Sequence, residues 1–238
     1  MFDRIKYKNF AKVQLKGRYK VPVLMCLFSV FIMGLLLLPS FALELVSPGV
    51  DFSYETLNLR LFAQTVQSNF FTNSLDFISW LIFCVITCAS LFVYIKMSKS
   101  PEPVKFGDFI EGFSLWGRGI LASLWRGLWI YLWTLLFIIP GIVKSYAYSM
   151  QLFLITEYQN LSILDALKIS MKITNGHKWD LFILDLSFLG WRILSCLTCG
   201  ILFFYVEPYY LMTRVNAYHA LLKEAVEKGI ITKEDLSI

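Results

Sequence analysis

Charged residues are scarce in this chain. Only 16% of its 238 residues are charged, while 57% are hydrophobic and 17% aromatic, and the mean hydropathy is +0.62. A soluble domain carries about 25% charged residues, and so little polar surface cannot enclose so apolar a core in water. The many aromatic residues equally exclude a disordered chain. The class that remains is an all-α integral membrane protein.

Catalytic patterns are also missing. The chain has two histidines, His177 and His219, and it contains no H-E-x-x-H, P-loop or G-x-S-x-G pattern. Cys196 and Cys199 have the spacing of a redox motif, but without a βαβ context small buried residues explain the five cysteines more simply. We therefore predict no catalytic residues, no metal, no cofactor and no enzyme activity. A redox role of this pair stays an alternative.

Six segments are apolar and long enough to be membrane spans, since about 20 such residues cross a bilayer. The first is too long for a signal-peptide core and is expected to stay uncleaved. Spans four and six contain polar groups, so a re-entrant or surface-lying arrangement is the alternative for both. A long outer connection, residues 46–73, follows the first span. The predicted spans are about 21–45, 77–95, 119–139, 141–158, 181–198 and 200–222.

The basic residues predict the orientation. Most of the 22 Lys and Arg residues lie in the N-terminal tail, the loops after spans two and four, and the tail 223–238, whereas the opposite side has Arg60. Basic loops stay on the cytoplasmic side of a membrane. Six spans with both termini in the cytoplasm satisfy this bias.

Each cytoplasmic segment is also predicted to form an amphipathic helix along the membrane surface. These helices are expected over residues 1–20, 104–116 and 162–174, so that each precedes a hairpin of two spans. In the first, Tyr7, Ala11, Leu15 and Tyr19 form an edge for acyl chains. A parallel basic edge is predicted to bind anionic lipid headgroups. It consists of Lys8, Lys12, Lys16 and Lys20.

The third surface helix has a capping-box pattern, Ser162 followed by Asp165. A shift of 59 residues superposes the second unit on the third: Pro140-Gly141 falls on Cys199-Gly200, and Arg126 falls on Asp185. This pattern favours an internal repeat; the alternative is that unrelated hairpins both have glycine in their turns.

Charged residues inside the spans are costly and are candidates for a functional site. Because Arg126 and Asp185 lie at equal depths under the repeat, we predict that they form an ion pair; Arg126 snorkelling to the interface is the alternative. Lys144 is predicted to reach the outer interface or to meet Glu207. The whole set forms either a polar cavity or a structural ion-pair network. It consists of Arg126, Lys144, Asp185, Arg192 and Glu207.

Several stretches of the sequence have a familiar pattern: residues 105–113, 135–142 with Tyr146, 175–182, 185–191 and 207–210. They resemble the DUF975 family of bacterial integral membrane proteins of uncharacterised function. Residues 198–202 read Thr-Cys-Gly-Ile-Leu where the family reads more like Thr-Leu-Gly-Ile-Gly, which makes the cysteine pair look incidental. The resemblance implies a helical fold in the bacterial cytoplasmic membrane and implies no activity.

We therefore predict a non-enzymatic membrane protein that binds lipids, through their anionic headgroups, or other membrane proteins. The net charge of +5 suits anionic lipid better than nucleic acid. The alternative is a transporter or channel for a small solute or ion, which requires a mid-membrane polar cavity containing Asp185 or Glu207. A membrane enzyme acting on lipid-linked substrates ranks last, because no nucleophile and base are paired.

Overall fold

The computed structural model describes residues 2–46, 59–232 and 234–237, and throughout these ranges the regular structure is helical. The prediction of an all-α fold is confirmed. Of the predicted outer connection, residues 47–58 lie outside the described ranges, and from Leu59 onward the chain is already part of the long third helix. The helices are α1 (Arg4–Leu15), α2 (Lys20–Val46), α3 (Leu59–Lys99), α4 (Phe106–Gly112), α5 (Trp116–Leu136), α6 (Ile138–Ala147), α7 (Gln151–Glu157), α8 (Ile163–Ile173), α9 (Lys178–Leu197), α10 (Phe203–Glu227) and α11 (Glu234–Ser237).

Among the described residues, four helical stretches are long and apolar enough to cross a membrane. They are Lys20–Pro39, Asn73–Lys99, Phe106–Leu136 and Ile138–Glu157. Helices α9 and α10, which occupy the fifth and sixth predicted spans, are not among them. The number of six crossings therefore stays a prediction.

Local signals set the starts of two helices. Asp3 caps α1, because its Oδ1 accepts hydrogen bonds from the backbone N–H of Ile5 at 3.1 Å and of Lys6 at 3.0 Å. Ser162 caps α8 by accepting from the N–H of Asp165 at 3.1 Å. The predicted cap at Ser162 is confirmed.

The best-buried side chains lie where the C-terminal ends of α3 and α10 meet α1, α4 and α7. Tyr94, Phe109, Phe153 and Tyr218 are at most 5% exposed there. At the other ends of α2, α5 and α9, large apolar side chains are exposed. Examples are Phe31, Leu35, Leu132, Leu135, Leu194 and Leu197.

Helix α4, the second predicted surface helix, packs directly against α3. A Cβ atom built on Gly112 would lie 2.8 Å from the Cα atom of Ala89, so the two backbones touch at this point. Phe109 is fully buried, whereas Ile110 remains 61% exposed. Lys96 of α3 pairs with Asp108 at 2.7 Å and fixes α4 from its polar side.

Helix α10 packs against the C-terminal part of α3. Ser98 of α3 lies beside His219 of α10, with 3.4 Å between Oγ and Nδ1, and Tyr94 is within electrostatic range of Glu207.

The N-terminal helix runs antiparallel along α10. The amide of Asn216 donates to the carbonyl of Tyr7 and, at 2.9 Å, to Gln14, and Tyr19, just after α1, stacks on Tyr205 with 5.0 Å between ring centroids. The start of α10 thus lies beside the start of α2, so the basic N-terminal segment and α10 occupy the same face of the molecule.

The turns of the two proposed repeat units differ. Gly200 has φ +83° in the turn between α9 and α10, whereas Gly141 lies inside α6. The turn of the second unit is at Phe137, where the backbone is extended. The shift of 59 residues therefore superposes a turn on a helix. The positions that it aligns at this point are not structurally equivalent.

Candidate functional site

The central polar contact is an ion pair between α9 and α10. Nη1 of Arg214 donates to both carboxylate oxygens of Asp185, at 3.1 and 3.0 Å. The hydroxyl of Tyr210 also donates to Asp185 at 3.1 Å and accepts from Arg214 at 3.2 Å. Tyr210 and Arg214 are four residues apart on α10 and therefore share the face that meets α9.

The predicted ion pair between Arg126 and Asp185 is wrong. The partner of Asp185 is Arg214, which lies in the sixth predicted span but was left out of the predicted network. The sequence did contain one indication of this contact: Arg214 follows Tyr210 by four residues, about one helical turn, so the two side chains share a face of α10. The sequence alone does not show which face of α10 meets α9, and the proposed repeat indicated the wrong arginine.

Two further members of the predicted network adjoin this pair. The guanidinium of Arg192 lies 4.6 Å from the ring centroid of Tyr210, a cation–π contact, and Arg192 also interacts electrostatically with Glu207. Asp185, Arg192 and Glu207 therefore belong to one network, which Tyr210 joins.

Lys144 lies apart from that network. Its ammonium group is 4.7 Å from the ring centroid of Trp133 and 5.9 Å from that of Tyr148. These two aromatic rings, on α5 and at the end of α6, take the place of the predicted contact with Glu207. Lys144 thus contributes to the packing of α5 against α6.

Arg126 lies in a cavity of about 460 Å³ between α3 and α5. The side chain is half-buried, and within the described ranges no carboxylate is within 4 Å of it. Neither Asp185 nor Glu207 lines this cavity, so it differs from the one expected of a transporter. The lining residues are Trp80, Phe83, Cys84, Thr87, Ser123, Arg126, Gly127, Ile130, Tyr131, Thr134 and Leu152.

A second polar cluster, which the sequence did not reveal, joins α3, α7 and α10. Glu157, with 5% of its side chain exposed, pairs with Lys99 at 2.6 Å and lies 3.5 Å from Nε2 of His219. Lys99 and Glu157 are the last residues of α3 and α7, whereas His219 lies about two turns before the end of α10. The cluster therefore fixes the ends of α3 and α7 against α10.

The lysines of the basic edge differ in their environment: some contact aromatic rings of the protein, and some are exposed. Lys8 lies over Phe188 at 4.5 Å and Lys12 over Tyr209 at 5.8 Å. Burial, with Lys12 close by, lowers the pKa of Lys8. Lys12, Lys16 and Lys20 are exposed.

The apolar edge predicted to enter acyl chains is instead covered by protein. Ala11 and Leu15 are fully buried, because α1 packs along α10. On the opposite face of α1, Ile5, Phe10 and Val13 are 73%, 53% and 72% exposed. The predicted lipid-contacting face is therefore wrong, and the exposed apolar face is the other one.

The five cysteines are free thiols. Cys26, Cys84 and Cys88 are buried, as expected, whereas Cys196 and Cys199 are exposed at the end of α9. The expectation that all five cysteines are buried is therefore wrong for this pair. In the part of the chain that the structure describes, no three His, Cys, Asp or Glu side chains are grouped as a metal site would require.

The fold and these sites define the class: the described residues are all-helical and include four stretches able to cross a membrane, which indicates a membrane protein. Residues 134–225 match the family model described as a protein of unknown function, DUF975. The match confirms the predicted resemblance to the DUF975 family over this part of the chain. No curated protein and no solved structure matches the chain.

Proposed function

We propose that this chain is a non-enzymatic, multi-pass protein of the bacterial cytoplasmic membrane that binds anionic lipid headgroups. The binding surface is the exposed face of the N-terminal segment, formed by Ile5, Phe10, Val13, Lys12 and Lys16, together with Lys20. We refer to it as the basic face.

The proposed layout has four crossings and both termini in the cytoplasm. Helices α2, α3 and α5 and the pair α6–α7 cross the bilayer, and the α9–α10 hairpin lies with α1 on the cytoplasmic side. One observation supports this layout over six crossings: α10 lies alongside the lysine-rich α1. The cytoplasmic bias of basic residues agrees with it.

The composition of the basic face is the observation that carries the lipid proposal. Large apolar side chains stand exposed beside lysines, and within the described ranges no acidic side chain pairs with Lys12, Lys16 or Lys20. Apolar side chains enter the headgroup boundary, while each lysine near an anionic surface contributes about 1 kcal/mol. A surface of this composition suits the cytoplasmic leaflet of a bacterial membrane.

The test replaces the three exposed lysines by glutamine in the full chain. The protein is placed in nanodiscs, and the association of spin-labelled phosphatidylglycerol is measured relative to that of phosphatidylcholine. We expect the preference for the anionic lipid to fall at least tenfold, since three lysines together contribute about 3 kcal/mol. The control replaces Lys105, Lys172 and Lys223, which are also exposed. Equal preference in both triple variants would contradict the proposal.

A further inference from the structure

We propose that the Arg126 cavity binds the anionic headgroup of an amphiphile taken from the bilayer, with its carboxylate or phosphate on the Arg126 guanidinium. This site is separate from the basic face. It lies between α3 and α5, and no residue of α1 lines it.

The depth of Arg126 is the first argument. Arg126 is the middle residue of α5, Trp116–Leu136, so about 15 Å of helix extends to either side. That distance is longer than an arginine side chain. An arginine at this depth is costly in a bilayer unless a partner or water compensates its charge.

The missing partner is the second argument. In the part of the chain that the structure describes, Arg126 makes no hydrogen bond and no ion pair. Arg214, which carries the same charge, acts on it electrostatically and is already paired with Asp185. The protein therefore leaves one cation uncompensated in a cavity.

The residues that line the Arg126 cavity favour an anionic ligand. Within the described ranges, no carboxylate lines the cavity. The hydroxyls of Thr87 and Thr134 donate to the backbone carbonyls of Phe83 and Ile130, so their donor hydrogens are already used. The guanidinium of Arg126 thus supplies the charged donors, which suit a carboxylate or phosphate.

The open side of the cavity indicates an amphiphile and not a free ion. Trp80, Phe83 and Tyr131 are 38%, 51% and 65% exposed on helices able to cross the membrane. A bilayer would cover these surfaces with acyl chains. A volume of about 460 Å³ falls within the usual range for small-molecule sites and accommodates a headgroup with the first part of its chain.

Photolabelling of the full-length protein in detergent tests this proposal. The probe is a palmitate that carries a diazirine, and labelled peptides are identified by mass spectrometry. We expect labels on the segments around Trp80 and Tyr131, and at least tenfold less labelling in Arg126→Gln. Arg126→Lys should keep labelling within about threefold of the wild type, because it retains the charge. Undiminished labelling in Arg126→Gln would overturn the proposal.

A second variant blocks the cavity and leaves the arginine in place. Gly127 lines the cavity, and a Cβ atom there meets nothing within 4 Å. Gly127→Phe should therefore fold and should abolish labelling. The controls are Gly190→Phe, where a Cβ atom also meets open space, and Arg192→Gln, which removes an arginine outside the cavity. The unfolding midpoint of every variant is measured alongside, and loss of labelling in the controls would overturn the proposal.

Competition distinguishes the source of the anion. Oleate should displace the probe, whereas oleyl alcohol, which has the same chain without the charge, should not. Inorganic phosphate at millimolar concentration should not displace it either. Displacement by oleyl alcohol would show an uncharged acyl-chain site, and displacement by phosphate would show a free-anion site; either result overturns the proposal.

Discussion

At the scale of single residues, the buried charged side chains of this protein differ in whether they have an ion-pair partner. Asp185 and Arg214 satisfy each other, with 20% and 11% of their side chains exposed, and Tyr210 completes the contact. Removing one member of such a pair leaves the other charge buried alone, whereas replacing both is far less costly. Arg126 differs because it has no partner among the described residues.

The ion pair yields the first prediction. Asp185→Asn should lower the free energy of unfolding by about 3 kcal/mol, because Arg214 loses its anion. The double variant Asp185→Leu with Arg214→Met should recover most of that loss. Thermal unfolding in detergent measures both. A double variant no more stable than Asp185→Asn would contradict a direct pair.

The cap of α8 yields the second prediction. Ser162→Ala should destabilise the first turn of α8 by about 1 kcal/mol, detected as faster hydrogen exchange there. The Ser162 hydroxyl, followed by Lys168, holds the pKa of Asp165 below its ordinary value, so the substitution should raise that pKa. Since the folded pKa is depressed, the contribution of Asp165 is present above its ordinary value of 3.8 and is lost as pH falls through the folded pKa. Unchanged exchange in this turn would refute the assignment.

At the scale of helices, close backbone contact fixes α4 on α3. Gly112 leaves no room for a side chain against Ala89, whereas Gly107, in the same helix, faces open space. The two glycines therefore form a matched pair, in which one is required by packing and the other is not.

Substitution of this pair gives the third prediction. Gly112→Ala should lower the free energy of unfolding by about 1–3 kcal/mol through overpacking. Gly107→Ala should leave stability unchanged or raise it by up to about 1 kcal/mol, because alanine favours the helix. Chemical denaturation of each variant measures the difference, and equal effects would mean that α4 does not contact α3 in this way.

The sequence predicts where helices form more readily than it predicts which helices pack against each other. Apolar length predicts the region of α2, and the Ser162 pattern predicts the start of α8. Periodicity shows that Ala11 and Leu15 share a face. It does not show whether α10 or lipid covers that face. The same limit explains why Arg214 was missed: α9 and α10 follow each other in the sequence, but periodicity does not show which faces of the two helices meet.

At the scale of the whole molecule, the side of the membrane that each surface faces depends on how the chain is placed in the bilayer. In the part of the chain that the structure describes, four stretches are able to cross the membrane, while α9 and α10 carry the ion-pair network and lie beside the basic N-terminal segment. Four crossings and six crossings both leave the termini on one side. They differ in the position of the turn between α9 and α10, which contains Cys199.

The accessibility of Cys199 is the most direct test of this placement. Cys199 is exposed in the turn, so a membrane-impermeant maleimide is applied to the Cys196→Ser variant in spheroplasts and in inside-out vesicles of a bacterial host. The positive control for outside access is Ser53→Cys, in the predicted outer connection. Four crossings predict that Cys199 reacts in inside-out vesicles and is protected in spheroplasts. Reaction of Cys199 in intact spheroplasts would contradict the proposed layout and favour six crossings.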